Sequence, residues 1–258
     1  MWSPPGRSRA FTLIELAVAI LILAILASGL AMPVAAQLQL RRAEETRRLM
    51  EDARESLLGF AAANGRLPCP ATETSRGEES FAAGGDPTNG NCARFYDGYL
   101  PGATLGLAPL DTQGFVRDAW NTENSRIRYA VFGAGSAVNG VVNPFTRVNG
   151  LQAATLASLG DASHFLLICA SGAGTSGSGC GPAANQLTRR AAFVLLSLGP
   201  NAGLTPAAGS DEARNQSGDP VFVYHETMAA GNATFDDVVQ WVPVHLLASR
   251  MLAAGRLP

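Results

Sequence analysis

Phe11-Thr12-Leu13-Ile14-Glu15-Leu16-Ala17-Val18-Ala19-Ile20 opens the stretch that decides how the rest of this 258-residue chain is read. From Leu16 to Ala36 there are 21 residues without a charge, and Ser28 is the only polar side chain among them. At 1.5 Å of rise per residue such a run reaches roughly 30 Å as a helix, the thickness of a bilayer's hydrocarbon core. Glu15 stands at its start. A carboxylate at membrane depth costs roughly 2.5–3.5 kcal/mol on insertion scales, so the default reading gives it a function and a positive partner.

Beyond Leu40 the run becomes amphipathic. Ala43, Met50, Ala53, Leu57, Phe60 and Ala61 recur at steps of three, four or seven between charged residues. Arg41, Arg42, Arg47 and Arg48 are interleaved with Glu44, Glu45, Glu51 and Asp52, which reads as a solvated helix face and not as a phosphate track. Asn64-Gly65, followed by Pro68, is a stop signal. The pattern therefore predicts one helix from Phe11 to about Ala63, kinked at Pro33, whose second half packs an apolar stripe against a head.

The segment Arg9-Ala10-Phe11-Thr12-Leu13-Ile14-Glu15-Leu16 and the helix behind it resemble the class III signal of type IV pilins and type II secretion pseudopilins. The resemblance implies a leader at residues 1–10, made basic by Arg7 and Arg9, and a cut between Ala10 and Phe11 by a prepilin peptidase that methylates the new amine. Ala10 stands where the family usually has Gly. The resemblance also implies that Glu15 serves assembly by neutralising the amine of a neighbouring subunit. An ordinary signal peptide is the competing reading, with weak cleavage sites at Ala31-Met32-Pro33 or Val34-Ala35-Ala36. Its apolar core would span only roughly 7–15 residues and has no reason to begin with a carboxylate.

The expected organisation is a leader at 1–10, a transmembrane helix at 11–40, its amphipathic continuation at 41–64 and a periplasmic or exported head at 65–258. The fold class is α+β, a long helix packed on a mainly antiparallel sheet, as in the pilin-like lollipop. Composition agrees with a head that has its own core: 47% of residues are hydrophobic and 16% charged. A net charge of −2 gives no electrostatic case for nucleic acid. Four short runs rich in Val, Ile, Leu and Phe read as strands: Arg126–Phe132, His164–Ala170, Ala192–Leu198 and Val221–His225. Leu151–Leu159 reads as a short helix or a loop, and Val244–Ala254 as a terminal amphipathic helix. In an exported head the four cysteines are expected to form disulfides. Of the three possible pairings the two local ones, Cys69–Cys92 and Cys169–Cys180, are favoured. Zinc is the alternative, but there is no C-x-x-C, and His164, His225 and His245 stand apart.

Little else carries chemistry. Gly172-Ala173-Gly174-Thr175-Ser176-Gly177 matches G-x-G-x-x-G, yet a loop follows where a dinucleotide site needs a helix. No phosphate loop, nucleophile elbow or H-E-x-x-H is present, so no enzyme is expected. Ser197-Leu198-Gly199, then Asp211, Asp219 and Phe235-Asp236-Asp237-Val238-Val239-Gln240-Trp241, resemble the calcium loop of the major pseudopilin. That resemblance implies carboxylate ligands among Asp211, Asp219, Asp236 and Asp237, with Glu212 as a further contributor, in the flexible oxygen shell calcium favours. The competing reading has Asp236 and Asp237 capping a turn. Asp118-Ala119-Trp120-Asn121 resembles another pseudopilin passage and makes Trp120 a core anchor. The reading is a structural subunit that assembles with other pilins or pseudopilins through an inner-membrane platform. A cut before Phe11 would leave 248 residues, more than a typical major subunit, which favours a minor pilin or pseudopilin. The alternative is a minor pilin whose head is an adhesin at the filament tip.

Overall fold

The computed structural model describes residues 12–120, 122, 124–162, 165–226, 228–230 and 233–257, with side chains set aside at 26–36, 161, 228–230 and 233–234. Ala10, Phe11, Asn121 and His164 lie outside the described residues. The chain divides into two compact units, Met1–Glu44 and Glu45–Pro258.

A single helix, α1 (Leu13–Asn64), crosses that boundary. In the first unit its apolar side chains stand exposed, Leu13, Leu16 and Leu23 among them. Among the described residues no helix is long and apolar enough to cross a membrane. In the second unit α1 buries one stripe completely. Met50, Ala53, Leu57 and Ala61 are each at most 1% exposed and belong to the main core. Phe60, expected in that stripe, is half-buried. The helix stops where expected. Gly65 is left-handed (φ +69°), its N–H bonds to Ala61 O at 2.8 Å, and a Cβ there would lie 2.8 Å from Asn149 Oδ1, so a larger residue would be strained. Arg256 closes the end from outside by donating to the carbonyls of Ala62 and Ala63.

The head follows as β1 (Gly98–Tyr99), α2 (Gly102–Leu105), β2 (Arg128–Val131), the hairpin β3 (Ala137–Val138) and β4 (Val141–Val142), α3 (Gly150–Ala154) and α4 (Leu156–Asp161). Then come β5 (Leu166–Cys169), β6 (Gln186–Ser197), α5 (Asp211–Asn215), β7 (Val221–Val223), the pair β8 (Met228–Ala230) and β9 (Ala233–Phe235), β10 (Val238–Pro243) and α6 (Val244–Ala253). The fold is α+β. Six strands form the main sheet in the order β1-β2-β6-β5-β7, with β10 also on β6. Every pairing is antiparallel except β5 with β7.

Strand β6 has 12 residues and starts six residues before the expected Ala192–Leu198, because its first half is amphipathic and carries Arg189 and Arg190. Its second half is fully apolar: Ala191 to Leu196 are each at most 2% exposed. Burying one such Val or Leu contributes about 1.5–3 kcal/mol. Both favoured disulfides are present, Cys69–Cys92 and Cys169–Cys180. Trp120 departs from expectation. It is half-buried, and its neighbour Asp118, 3% exposed, is the residue that goes inside.

The chain leaving α1 is held by a fork-to-fork ion pair. Arg66 donates both terminal nitrogens to Glu79, each at 2.7 Å, and Glu79 also accepts the Cys69 N–H at 3.2 Å. The guanidinium is stacked over Phe60 and Phe81. Removing one partner strands the other in a buried site. Glu79→Ala is expected to destabilise the head by about 3 kcal/mol, read from denaturant unfolding, whereas Arg94→Ala, which breaks an exposed pair with Asp97, should change stability by less than about 1 kcal/mol.

Candidate functional site

Two places gather the polar groups that the sequence singled out. The first is the start of α1. Glu15 N–H donates to Thr12 Oγ1 at 3.3 Å, while Glu15 Oε2 accepts from the Thr12 N–H and hydroxyl, both at 3.2 Å. Thr12-Leu13-Ile14-Glu15 is thus a capping box, in which cap and third residue satisfy each other's amides. A carboxylate here also faces the positive end of the helix dipole. The side chain is exposed, so the same oxygens are within reach of an outside cation.

The second place is an acidic cluster at the end of β6. Glu212, Asp236 and Asp237 bring one ligand oxygen each within 4.8 Å of the others. Helix α5 supplies Glu212. Ser210 caps this single turn by accepting the Ala213 N–H at 3.1 Å. Successive helical residues diverge by about 100°, which turns Glu212 inward (5% exposed) while Asp211 points elsewhere. Asn201 donates to both Glu212 oxygens at 2.9 and 3.0 Å, and Asp236 N–H donates to one of them at 3.1 Å. Asn215 donates to Asp237 Oδ2 at 2.7 Å while exchanging two bonds with the Val223 main chain.

Three carboxylates at this spacing cannot all ionise freely. Burial, helped by the Glu212 charge, pushes the Asp236 carboxyl up to about 7. Burial raises Asp237 to about 7 as well. The Asn215 hydrogen bond and the Arg128 charge oppose that rise, and Glu212 and Asp236 add to it. The Oδ1 atoms of Asp236 and Asp237 are buried without a hydrogen-bond partner. Such orphaned oxygens fit either a proton or a hard cation that takes oxygen ligands.

Of the sequence-chosen acids, Asp236 and Asp237 come together here and Asp211 and Asp219 do not. Asp211 accepts Gly172 N–H at 2.5 Å and pairs with His225 Nε2 at 2.9 Å. Asp219 pairs with Arg214 at 3.1 Å. Glu212, only a further contributor in the sequence reading, completes the group, and Asn201 and Asn215 hold it without having been singled out. The one signal for this arrangement was Ser210-Asp211-Glu212, a cap followed by acids, which starts a helix and sorts the two acids onto different faces.

Residues 6–31 match the model of the prokaryotic N-terminal methylation motif, the class III prepilin signal of type IV pilins and pseudopilins. No curated protein and no solved structure matches the chain.

The cluster fixes a pH dependence. Both aspartates titrate higher in the folded head than in the unfolded chain, so their stabilisation is complete below the ordinary carboxyl value of 3.8 and is lost as pH rises to about 7. Asp111 runs the other way. Burial raises it, but hydrogen bonds from the Phe115 and Gln113 amides and from Arg117, with the Arg126 charge, outweigh that and lower it, so its change falls below pH 4. In chelator, the melting temperature of the protein should therefore fall between pH 5 and 8, and the fall should vanish in the Asp236→Asn/Asp237→Asn variant. Millimolar calcium should restore the lost stability at pH 8; by linkage the gain is about 2.7 kcal/mol at a hundredfold excess over Kd. A melting temperature unmoved by calcium would assign the cluster to protons alone.

Gly199 sits against the same cluster. It is left-handed (φ +67°), and a Cβ there would meet Asp236 O and Oδ1 at 2.5 Å. Gly199→Ala should lower stability by about 1–3 kcal/mol and, by displacing Asp236, abolish any calcium-dependent shift in melting.

Proposed function

We propose that this chain is a pilin-like structural subunit, a minor pilin or pseudopilin. It would be held in the bacterial inner membrane by the apolar half of α1, with its head in the periplasm. From there an assembly platform would draw it into a type IV pilus or a type II secretion pseudopilus. The observation that carries the reading is the methylation motif at residues 6–31, which overlaps the start of α1, the helix that continues into an α+β head. Prepilin peptidase would cut between Ala10 and Phe11 and methylate the new amine, which keeps its charge. Phe11 and Glu15 are one helical turn apart and share a face. An ion pair between Glu15 and the amine of a neighbouring subunit would offset the burden of each charge in lipid. The cation or proton in the acidic cluster would hold the head's loops rigid and has no chemical step to perform.

Intact mass and N-terminal sequencing of membrane-extracted protein should find N-methyl-Phe11 at the start; a start at Met1 or near Ala36 would refute the reading. Glu15→Ala should leave insertion and cleavage intact and strongly reduce recovery in sheared filaments. Glu15→Gln separates the two roles of this side chain. Glutamine preserves the capping box but has no charge, so an equal loss with Gln assigns the effect to the ion pair, and normal assembly with Gln assigns it to the cap.

A further inference from the structure

Strand β10 hydrogen-bonds to β6 on one side and, among the described residues, to no strand on the other. Among the described residues, the main-chain groups on that second edge make no hydrogen bond to another main chain. Along it lie two adjoining clefts, of about 500 and about 220 Å³, that share Tyr224, Val239 and Gln240. Arg54 lines the smaller cleft, where Tyr224 and Trp241 stand edge to face with ring centroids 5.2 Å apart. Two buried atoms of this lining have no hydrogen-bond partner, the donor Arg54 Nε and the acceptor Gln240 Oε1. The demand that matters is that of the strand edge itself. The ligand that meets it presents N–H and C=O groups in repeat, which is a polypeptide main chain in extended form.

A matching segment stands on the same unit. Leu204 is 72% exposed, the highest value among the large apolar side chains described in Glu45–Pro258. Around it, Leu204-Thr205-Pro206-Ala207 is uncharged and belongs to no helix or strand. Pro206 cannot donate, which suits an added edge strand in which that position faces away from β10.

We propose that Leu204–Ala207 of one copy of this chain adds as an extended segment to the free edge of β10 in the next copy, seating Leu204 against Val239 and the Tyr224–Trp241 pair. The two surfaces are different, so the contact is heterologous. Repeated from copy to copy with a rotation that does not close, it builds an open chain. It rests on the filament reading for the reason that copies meet at high local concentration.

Disulfide trapping tests it in the full-length protein, whose four native cysteines are already paired. A Thr205→Cys/Gln240→Cys variant, which places both thiols on the face opposite Leu204, oxidised in cells that carry the assembly machinery, should run on a non-reducing gel as a ladder of multimers, while either single variant stops at monomer or dimer. Electron microscopy of sheared material scores filaments separately. Filaments without a ladder overturn the β10 contact and leave the filament reading standing. A ladder without filaments upholds the contact and overturns that reading, and the absence of both overturns the two together. Leu204→Asp should cut filament yield at least tenfold with an unchanged melting temperature, because the side chain is exposed in the single subunit; full yield from this variant also overturns the contact.

Discussion

Strand β6 is the constraint from which the head is organised. Residues Val194 to Leu196 pair with β2 on one edge and with β10 on the other, and the earlier part of the strand pairs with β5. A strand with both edges occupied and both faces buried must be apolar throughout, and Ala191-Ala192-Phe193-Val194-Leu195-Leu196 meets that demand. It also places the polar groups beyond its end. Ser197 donates to the buried Asp118 at 2.7 Å and accepts the Gly199 N–H at 3.2 Å. The left-handed turn at Gly199 then passes against Asp236, so the acidic cluster is a consequence of how the central strand terminates.

That cluster is held against its own repulsion by neutral amides. Asn201 and Asn215 give hydrogen bonds to Glu212 and Asp237 without adding charge, which orients the carboxylates and only partly offsets the burial and repulsion that raise Asp237. Two raised carboxyl groups and two orphaned oxygens are the result. An arginine in either position would have closed the group as a structural ion pair, in the way Arg66 closes Glu79. Here the repulsion is relieved at low pH by protonation of the two aspartates.

Elements specified by local chemistry were legible in the sequence. The long helix followed from the apolar run and its amphipathic continuation, its end from Asn64-Gly65, and the disulfides from the export context. What the sequence hid was decided by tertiary contact. The first half of β6 carries Arg189 and Arg190, which mask a strand whose register comes from β5. Strand β10 was read as the closing half of a cation loop, because Asp236-Asp237 drew attention away from Val238-Val239-Gln240-Trp241-Val242. The hairpin at Val138-Asn139-Gly140-Val141 had a legible signal, since Asn139 and Gly140 both take positive φ, as the mirror-image turns of two-residue hairpins require. Asp211 and Glu212 differ by a single position, and only the helical turn that Ser210 starts decides which of them enters the site.

Exposed edges and exposed apolar side chains are liabilities in a soluble monomer, and proteins ordinarily blunt them with lysines, prolines or bulges. Strand β10 is blunted only at its far end, where the register slips between Val242 and Pro243; Val238 to Trp241 carry no charge at all. Its near end is pinned instead, since Asp237 is bound by Asn215 and Val238 opposite Ser197 makes the first rung of the ladder. An open edge that is held rigid loses little conformational entropy on pairing, whereas a mobile edge would have to be ordered first. The same holds for α1, whose first turn is closed by its capping box before any partner arrives. In both units the polar groups at the ends of these segments are fixed by contacts within the chain itself.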